Sequence, residues 1–481
     1  MSLPSKVLLR QVAPALAAAL MTTACAVGPD FHRPAPPQVA SFTPSPPPAP
    51  ATPDAQRIQV GAPIPPRWWT LFGSPALDSL VKESVAHNPD TAAAEAALRQ
   101  ARELLYAQRA AYLPSASASL QASRQRSSQT LAPPLASNAT EFSLYTAQVE
   151  VSYTLDVFGG VRRQVEAARA RAESQAFETR AAYLTLTANV VAAAVQEASL
   201  REQIAATRQV IDVEARLLQV IRRQHDVGQI SGGDLAAQET ALAQARQALP
   251  PLEKQLAQQR DLLAILTGRR PDQGPYATVE LSQLTLPQDV PVGLPSTLVE
   301  QRPDVRAAEA NLHAASAMVG VAAAARLPNF TLAASGGGAS EKLSQLTASP
   351  NLFWSLAGGV VQPLFDAGAL KHQQRAAVAA YDEAREQYRS TVLHAFQNAA
   401  DAIQALQLDD EALAAADAAD RAASRSLQIA GKQVQAGESS GVALLNAEQA
   451  YHQAQVALVQ ARTARFADTA ALFQALGVGE W

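Results

Sequence analysis

A single cysteine, Cys25, stands among the 481 residues, so an internal disulfide is excluded. Aromatic residues are only 5% of a chain that is 48% hydrophobic and rich in alanine. Small side chains let helices approach closely but fill a thick core poorly, which favours extended helical architecture over a large globule. A net charge of −4, with the charges interspersed, leaves no basic patch for nucleic acid. Beyond the N-terminus no run reaches the ~18 apolar residues of a membrane-spanning helix. The histidines (His32, His87, His225, His313, His372, His394, His452) lack metal-ligand spacing. No phosphate-cradling loop follows a strand, and Cys25 sits at the terminus, away from any nucleophilic role. An enzyme is therefore not expected.

What is present is a duplication. Leu155–Gly268 recurs 209 residues later as Leu364–Gly477, with Gly159/Gly368, Gln224/Gln433, Gly228/Gly437, Ser231/Ser440, Leu235/Leu444, Glu239/Glu448 and Leu263/Leu472 in one register. Each copy reads as a very long helix, a turn at Gly228 or Gly437 requiring positive φ, and a return helix. A second module repeats at an offset of 214: Pro89-Asp90, Glu95, Leu98 and Pro114 match Pro303-Asp304, Glu309, Leu312 and Pro328. Pro89 and Pro303 suit a helix's first turn, while Pro114 and Pro328 end it. Each half thus reads helix, strand, strand, long helix, return helix. Pro250-Pro251 is expected to break the first return helix; Val459-Gln460 stands there in the second copy.

The strands follow from period-two alternation. Ser115, Ser117, Ser119, Gln121 and Ser123 alternate with Ala116, Ala118, Leu120 and Ala122; Tyr145, Ala147, Val149, Val151 and Tyr153 alternate with Thr146, Gln148, Glu150, Ser152 and Thr154. The second half places Phe330, Leu332 and Ala334, then Trp354, Leu356 and Val360, on one face. The offset aligns Tyr145 with Trp354, predicting aromatics at one height. The segments Arg124–Glu141 and Gly336–Pro350 read as polar loops, with Gly336-Gly337-Gly338 flexible. Apolar-out, polar-in strands suit a transmembrane barrel; a soluble sheet with one wet face is the alternative. Unpaired backbone in lipid is too costly for an open sheet, and four strands cannot close. Three chains would supply twelve strands, although four chains would also close.

The long helices cannot lie in the bilayer, because Val161–Val227 would extend about 100 Å against a hydrocarbon core of about 30 Å. Their pattern is that of a coiled coil. Tyr183, Val190, Ile204, Ile211 and Leu218 fall on multiples of seven with Glu197 the one polar interruption, and Asp420 interrupts the equivalent series in the second copy. Leu184, Val191, Ala198 and Ala205 form a second stripe, which suits a wall of helices.

At the N-terminus, Lys6 and Arg10 precede an apolar run from Val12 to Met21 and then Thr22-Thr23-Ala24, the pattern of a secretory signal. Cys25 follows small residues as a lipidated cysteine would. Thr22 stands where leucine is usual, and cleavage near Ala24 leaving a free thiol is the alternative. Proline-dense sequence (Pro44, Pro46, Pro47, Pro48, Pro50) makes an extended tether. Trp68 and Trp69 are expected to dock it onto the body.

The Cys25–Phe31 start, Trp68-Trp69 with Phe72, Asn88-Pro89-Asp90, Arg302-Pro303-Asp304, Asp156–Gly160, Pro363–Gly368 and the tips Gly228–Asp234 and Gly437–Ser440 together resemble the outer membrane factor family, the TolC/OprM-like channel-tunnels, in its lipoprotein branch. The resemblance covers essentially the whole chain. It implies a mainly α fold with a small β part: duplicated coiled-coil hairpins form a periplasmic tunnel, and four β-strands per chain complete a twelve-stranded barrel in the outer membrane of a homotrimer. It implies hairpin tips that form a closed entrance, opened when a periplasmic membrane-fusion adaptor and an inner-membrane RND-type pump dock. Acidic residues often follow the tip glycines in the family. Asp234 matches that place in the first copy, whereas Ala443 and Asn446 depart from it in the second; Glu438 and Asp226 lie close enough to contribute. Asp234 also suits an N-terminal charge on the return helix.

The expected organisation is a signal peptide (1–24), a lipid-anchored tether (25–66), a first repeat (67–270), an equatorial linker (271–293) and a second repeat (294–481). The expected function is a passive exit duct for drugs or other small toxic compounds. The alternatives are the duct of a type I secretion system and a periplasmic coiled-coil structural lipoprotein. No cofactor is expected beyond covalent lipid on Cys25, and the partners would be the second and third copies, adaptor, pump and membrane lipid.

Overall fold

The computed structural model describes residues 26–35, 37, 39, 41–43, 56–62, 64–128, 130, 140–273, 278–293, 295 and 300–477. The signal peptide, Cys25 and the prolines of the tether from Pro44 to Pro50 lie outside the described residues. The described chain forms two units. One comprises Met1–Arg33, Leu98–Ser174 and Ala308–Tyr388; the other comprises Pro34–Ala97, Gln175–Ala307 and Arg389–Trp481. Each collects parts of both sequence repeats.

Helices begin where the prolines predict. α1 (Pro75–His87) is capped by Ser74, whose hydroxyl accepts from Leu77 N–H, and α2 (Pro89–Arg109) starts beyond Asn88, whose Oδ1 accepts from Asp90 and Thr91 N–H. The long helix α3 (Gly160–Asp226) has 67 residues, and its return helix is α4 (Gly232–Leu266). The second copy supplies α5 (Pro303–Ala324), α6 (Ala369–Gln435), also of 67 residues, and α7 (Gly441–Leu476).

The break expected at Pro250-Pro251 does not occur: α4 runs through both prolines. Two amide donors are missing, toward the carbonyls of Arg246 and Gln247. Both prolines and both of those residues are at least partly exposed, so water can take over the orphaned carbonyls.

The first unit holds a four-stranded antiparallel sheet in the order β2 (Ser115–Arg126), β3 (Glu141–Leu155), β5 (Asn329–Ser340), β6 (Leu352–Val361). Gly336, Gly337 and Gly338 are strand, not loop, paired with Val149, Gln148 and Ala147 on one side and Trp354, Phe353 and Leu352 on the other. A Cβ on Gly337 would strike the Ala147 carbonyl oxygen, so glycine here permits close backbone approach. The predicted common height of Tyr145 and Trp354 also fails in the ladder. Trp354 lies opposite Gly336 and thence Val149, whereas Tyr145 lies opposite Ser340. Strand pairing, not the repeat offset, sets register.

The second unit has its core around the turn Trp68–Phe72. Trp68 and Phe72 are fully buried; Trp68 stacks on Phe473 with ring centroids 5.3 Å apart, and Phe72 meets Phe466 edge-on at 5.7 Å. The docking expected of the tryptophans is thus made on α7. Sequence patterning did not indicate the two-stranded parallel sheet of β1 (Arg57–Val60) and β4 (Asp289–Val292), which pairs the end of the tether with the inter-repeat linker. Of the predicted coiled-coil positions, Val190, Ile204 and Leu218 are buried, as are Val392, Ala399 and Leu406. In the second stripe Leu184, Val191 and Ala198 are buried but Ala205 is exposed.

Candidate functional site

Through its middle the sheet sorts its side chains by register. Directly paired residues share a face, and one face carries Ala116, Ala118, Leu120 and Ala122 against Val151, Val149, Ala147 and Tyr145, continuing through Leu332, Ala334 and Gly336 to Leu356 and Trp354. The other carries Ser117, Ser119 and Gln121 against Glu150, Gln148 and Thr146, and Ser335 with its hydroxyl 2.7 Å from that of Ser355. The apolar face is bare: Leu120 is 70% exposed, Leu356 75% and Trp354 81%. Strands of 10 to 15 residues are long enough to cross a bilayer at a tilt. β2 and β6 each have one unpaired edge within the sheet. In lipid those edges must pair, and the two open edges of one copy can be met by those of its neighbours.

The residues after Cys25 are held in the same unit. Val27 N–H donates to the Phe158 carbonyl at 3.0 Å, Arg163 reaches Asp30 at 2.7 Å and Glu166 at 2.8 Å, and Phe31 stacks on His313 at 4.3 Å. Gly28, at φ 99°, crosses Gly320 with no room for a Cβ on either.

The hairpin tips belong to the second unit and are built alike. Gly228 and Gly437 both have φ 75°. Gln229 N–H donates back to the Gln224 carbonyl and Glu438 N–H to the Gln433 carbonyl, each at 2.8 Å, the six-residue closure of a left-handed helix cap. Ser231 and Ser440 then cap the return helices, accepting from Asp234 and Ala443 N–H. The copies part company at the next step. Asp234 Oδ2 accepts from the Ser231 N–H at 3.1 Å and its hydroxyl at 2.8 Å, a reciprocal capping box that Ala443 cannot make. Those bonds, the Ser231 side chain foremost, hold the Asp234 carboxyl below the usual range. Asp226, Asp234, Glu438 and Asn446 are all exposed. Asp226 lies 3.9 Å from His225 and Asp234 engages Ser231, each a near neighbour in sequence.

Just behind the tips the two hairpins are joined by contacts that repeat counting missed. Arg216 of α3 reaches Glu448 of α7 at 2.7 Å, beside an apolar cluster of Val213, Leu217 and Leu445. Nearby, the buried Glu214 carboxylate accepts from Gln238 Nε2 at 2.5 Å. Farther along α3, Glu197, the interruption in the heptad series, is buried between Arg201 at 2.9 Å and Arg260 at 3.0 Å. The polar position is therefore an ion-pair node rather than a lapse in packing. A glutamate four residues before an arginine was its visible signal.

A family model described as "Outer membrane efflux protein" matches residues 80–269 and 294–478. The chain is similar to the pyoverdine export outer membrane protein OpmQ of Pseudomonas putida, 31% identical over 419 residues, covering 86% of this chain and 88% of that one. It is also similar to the toluene efflux pump outer membrane protein TtgC of Pseudomonas putida, 30% identical over 458 residues, covering 95% and 93%. Among solved structures the outer-membrane channel OprN superimposes with a TM-score of 0.82 at 26% identity, covering 95% of this chain and 99% of that one.

Proposed function

Given that the chain belongs to the outer membrane efflux protein family, we propose that it is the passive exit duct through which a tripartite system expels small toxic organic compounds. The protein is an outer-membrane efflux channel, mainly helical, in which three copies of the four-stranded sheet complete a twelve-stranded barrel. The observation that carries the reading is the sheet itself: a band of exposed apolar side chains on one face, polar side chains opposite it, and two open edges. Lipid covers the first and water fills the lumen lined by the second. Purified trimers in planar bilayers should conduct; a soluble monomer without conductance would overturn the proposal. Two of the relatives are named for pyoverdine and toluene, which favours small-molecule efflux over secretion of a protein. Deletion should raise drug or solvent sensitivity and leave secreted proteins unchanged.

The finer assignments follow from this reading. The tips at Gly228 and Gly437 are the gate, opened as a periplasmic adaptor and an RND-type inner-membrane pump engage them, and the chain converts no energy and catalyses no reaction. Asp234, Asp226 and Glu438 set the charge of the entrance, which the neutral Asn446 weakens. Asn446→Asp should raise cation selectivity, and an unchanged reversal potential in a salt gradient would remove Asn446 from the pore. Cys25 carries covalent lipid; Cys25→Ser should abolish palmitate labelling, and retained labelling would refute that assignment.

A further inference from the structure

Asp409 of α6 and Asp468 of α7 are in side-chain contact across the second hairpin. Oδ2 of Asp409 is enclosed and has no hydrogen-bond donor among the described residues. Two ionised carboxylates so placed would repel, and a buried acceptor without a donor is costly. The cation bearing on the pair is Arg465 of α7, itself 3% exposed, yet its guanidinium is spent elsewhere: it donates to the Leu406 carbonyl and lies 3.7 Å from Asp410 Oδ1. Thr469, next to Asp468, turns its hydroxyl to the Arg465 carbonyl and to Gln56, and brings no charge. One proton resolves the conflict. With it, one carboxyl of the pair donates to the other and the repulsion between them is relieved.

The repeat register gives a control within the same chain. The counterparts of Asp409 and Asp468 in the first copy are Leu200, buried, and Gln259, which donates to the Ala193 carbonyl at 3.2 Å. Those two positions of the first hairpin carry no carboxylate pair; its helices are joined beside them by the Glu197–Arg260 ion pair, an acid matched with a base rather than with another acid.

We propose that Asp409 and Asp468 hold a single shared proton and act as a proton-sensitive latch between the long and return helices of the second hairpin. The charged groups facing Asp409 are Asp468 and Arg465 from α7, with Asp410 beside it on α6. Burial, with the Asp468 carboxylate next, pushes the Asp409 carboxyl up to about 7 against the pull of Arg465. Near neutral pH the proton passes to bulk water, leaving two carboxylates and one arginine in the space that held a hydrogen bond. Because this folded value lies above the unfolded 3.8, the native state binds the extra proton between the two. Stability therefore falls as pH rises across that window and levels off above it.

The test compares the intact wild-type trimer with Asp409→Asn, whose amide donates to Asp468 without titrating. From about pH 4 to pH 7 the wild-type unfolding equilibrium should move toward unfolding, relative to the variant, by up to about tenfold per pH unit. Parallel profiles would overturn the latch. Should the variant fail to assemble, infrared difference spectra of the wild type between about pH 5.5 and 8.5 decide. Loss of a protonated-carboxyl C=O band that Asp468→Asn alters supports the pair, and absence of any such band refutes it. Neither readout depends on conductance, so failure here is distinguishable from failure of the channel reading.

Discussion

Arg216 Nη2 lies 2.7 Å from Glu448 Oε2, linking the first long helix to the second return helix, whereas Glu239, the repeat counterpart of Glu448, pairs at 2.8 Å with Arg222 inside its own hairpin. One place in the repeat has thus diverged from closing a hairpin to joining two. Both ion pairs are partly exposed and sit on packed helices, so each contributes only about 0.2–1 kcal/mol. Arg216→Ala should leave trimer melting nearly unchanged while raising single-channel conductance, because the restraint it removes is local to the tips. Arg222→Ala, which severs no link between hairpins, serves as the comparison. Equal conductance in the two variants would show that the hairpin-to-hairpin bond does not restrain the gate.

The unbroken passage of α4 through Pro250-Pro251 leaves two backbone carbonyls without helix donors. Replacing both prolines with alanine restores the donors and improves helix propensity, each interior proline being about 3 kcal/mol less favourable than alanine in model helices. The double variant should melt higher than the wild type. A lower melting temperature would mean that the surrounding helices require the proline geometry.

A Cβ at Gly337 of β5 would meet the Ala147 carbonyl oxygen of β3. Gly337→Val should prevent assembly of heat-resistant trimers in outer-membrane fractions, since the obstructing atom is a backbone carbonyl that cannot swing aside. Gly358→Ala should assemble normally, because a Cβ there meets Leu332 Cδ2 at 3.6 Å, ordinary contact distance. Trimer yield on unheated gels separates the two outcomes.

Asp78 anchors the start of the body. Burial opposes its ionisation, but hydrogen bonds from Lys82, Arg67 and Trp69 outweigh that cost and lower the carboxyl to about 2. Its folded value lies below the unfolded 3.8, so the stability it confers is complete above that pH and is lost as pH falls toward 2. Asp78→Asn should destabilise the protein at neutral pH by about 1–2 kcal/mol, with the difference from wild type shrinking under acid. Denaturant unfolding at pH 7 and at about pH 2.5 measures both ends.

Much of the architecture is written locally. The alternation of Ser117 and Ser119 with Ala118 and Leu120 placed a strand, Pro89 and Pro303 placed helix starts, and the Gly228/Ser231 and Gly437/Ser440 pairs placed two turns that the structure builds alike. Each of these signals depends on residues within a few positions of one another, where side-chain period and backbone preference decide. The candidate tip residues came instead from the family resemblance, while the capping box explains Asp234 from three-residue spacing. What the sequence left open depended on partners far along the chain. The three glycines of β5 resembled a loop until Val149 and Trp354 were seen on either side. β1 had no visible mate until β4 arrived from the inter-repeat linker. Glu197 broke the heptad until Arg260 came back along α4, and Asp409 gained its meaning from Asp468 on α7. The duplicated hairpins and their turns were determined by the sequence alone, because short-range periodicity encodes them. Which glutamate spans the hairpins, which acids meet and which edges stay open were decided by tertiary structure, because register and charge pairing exist only after distant segments are brought together.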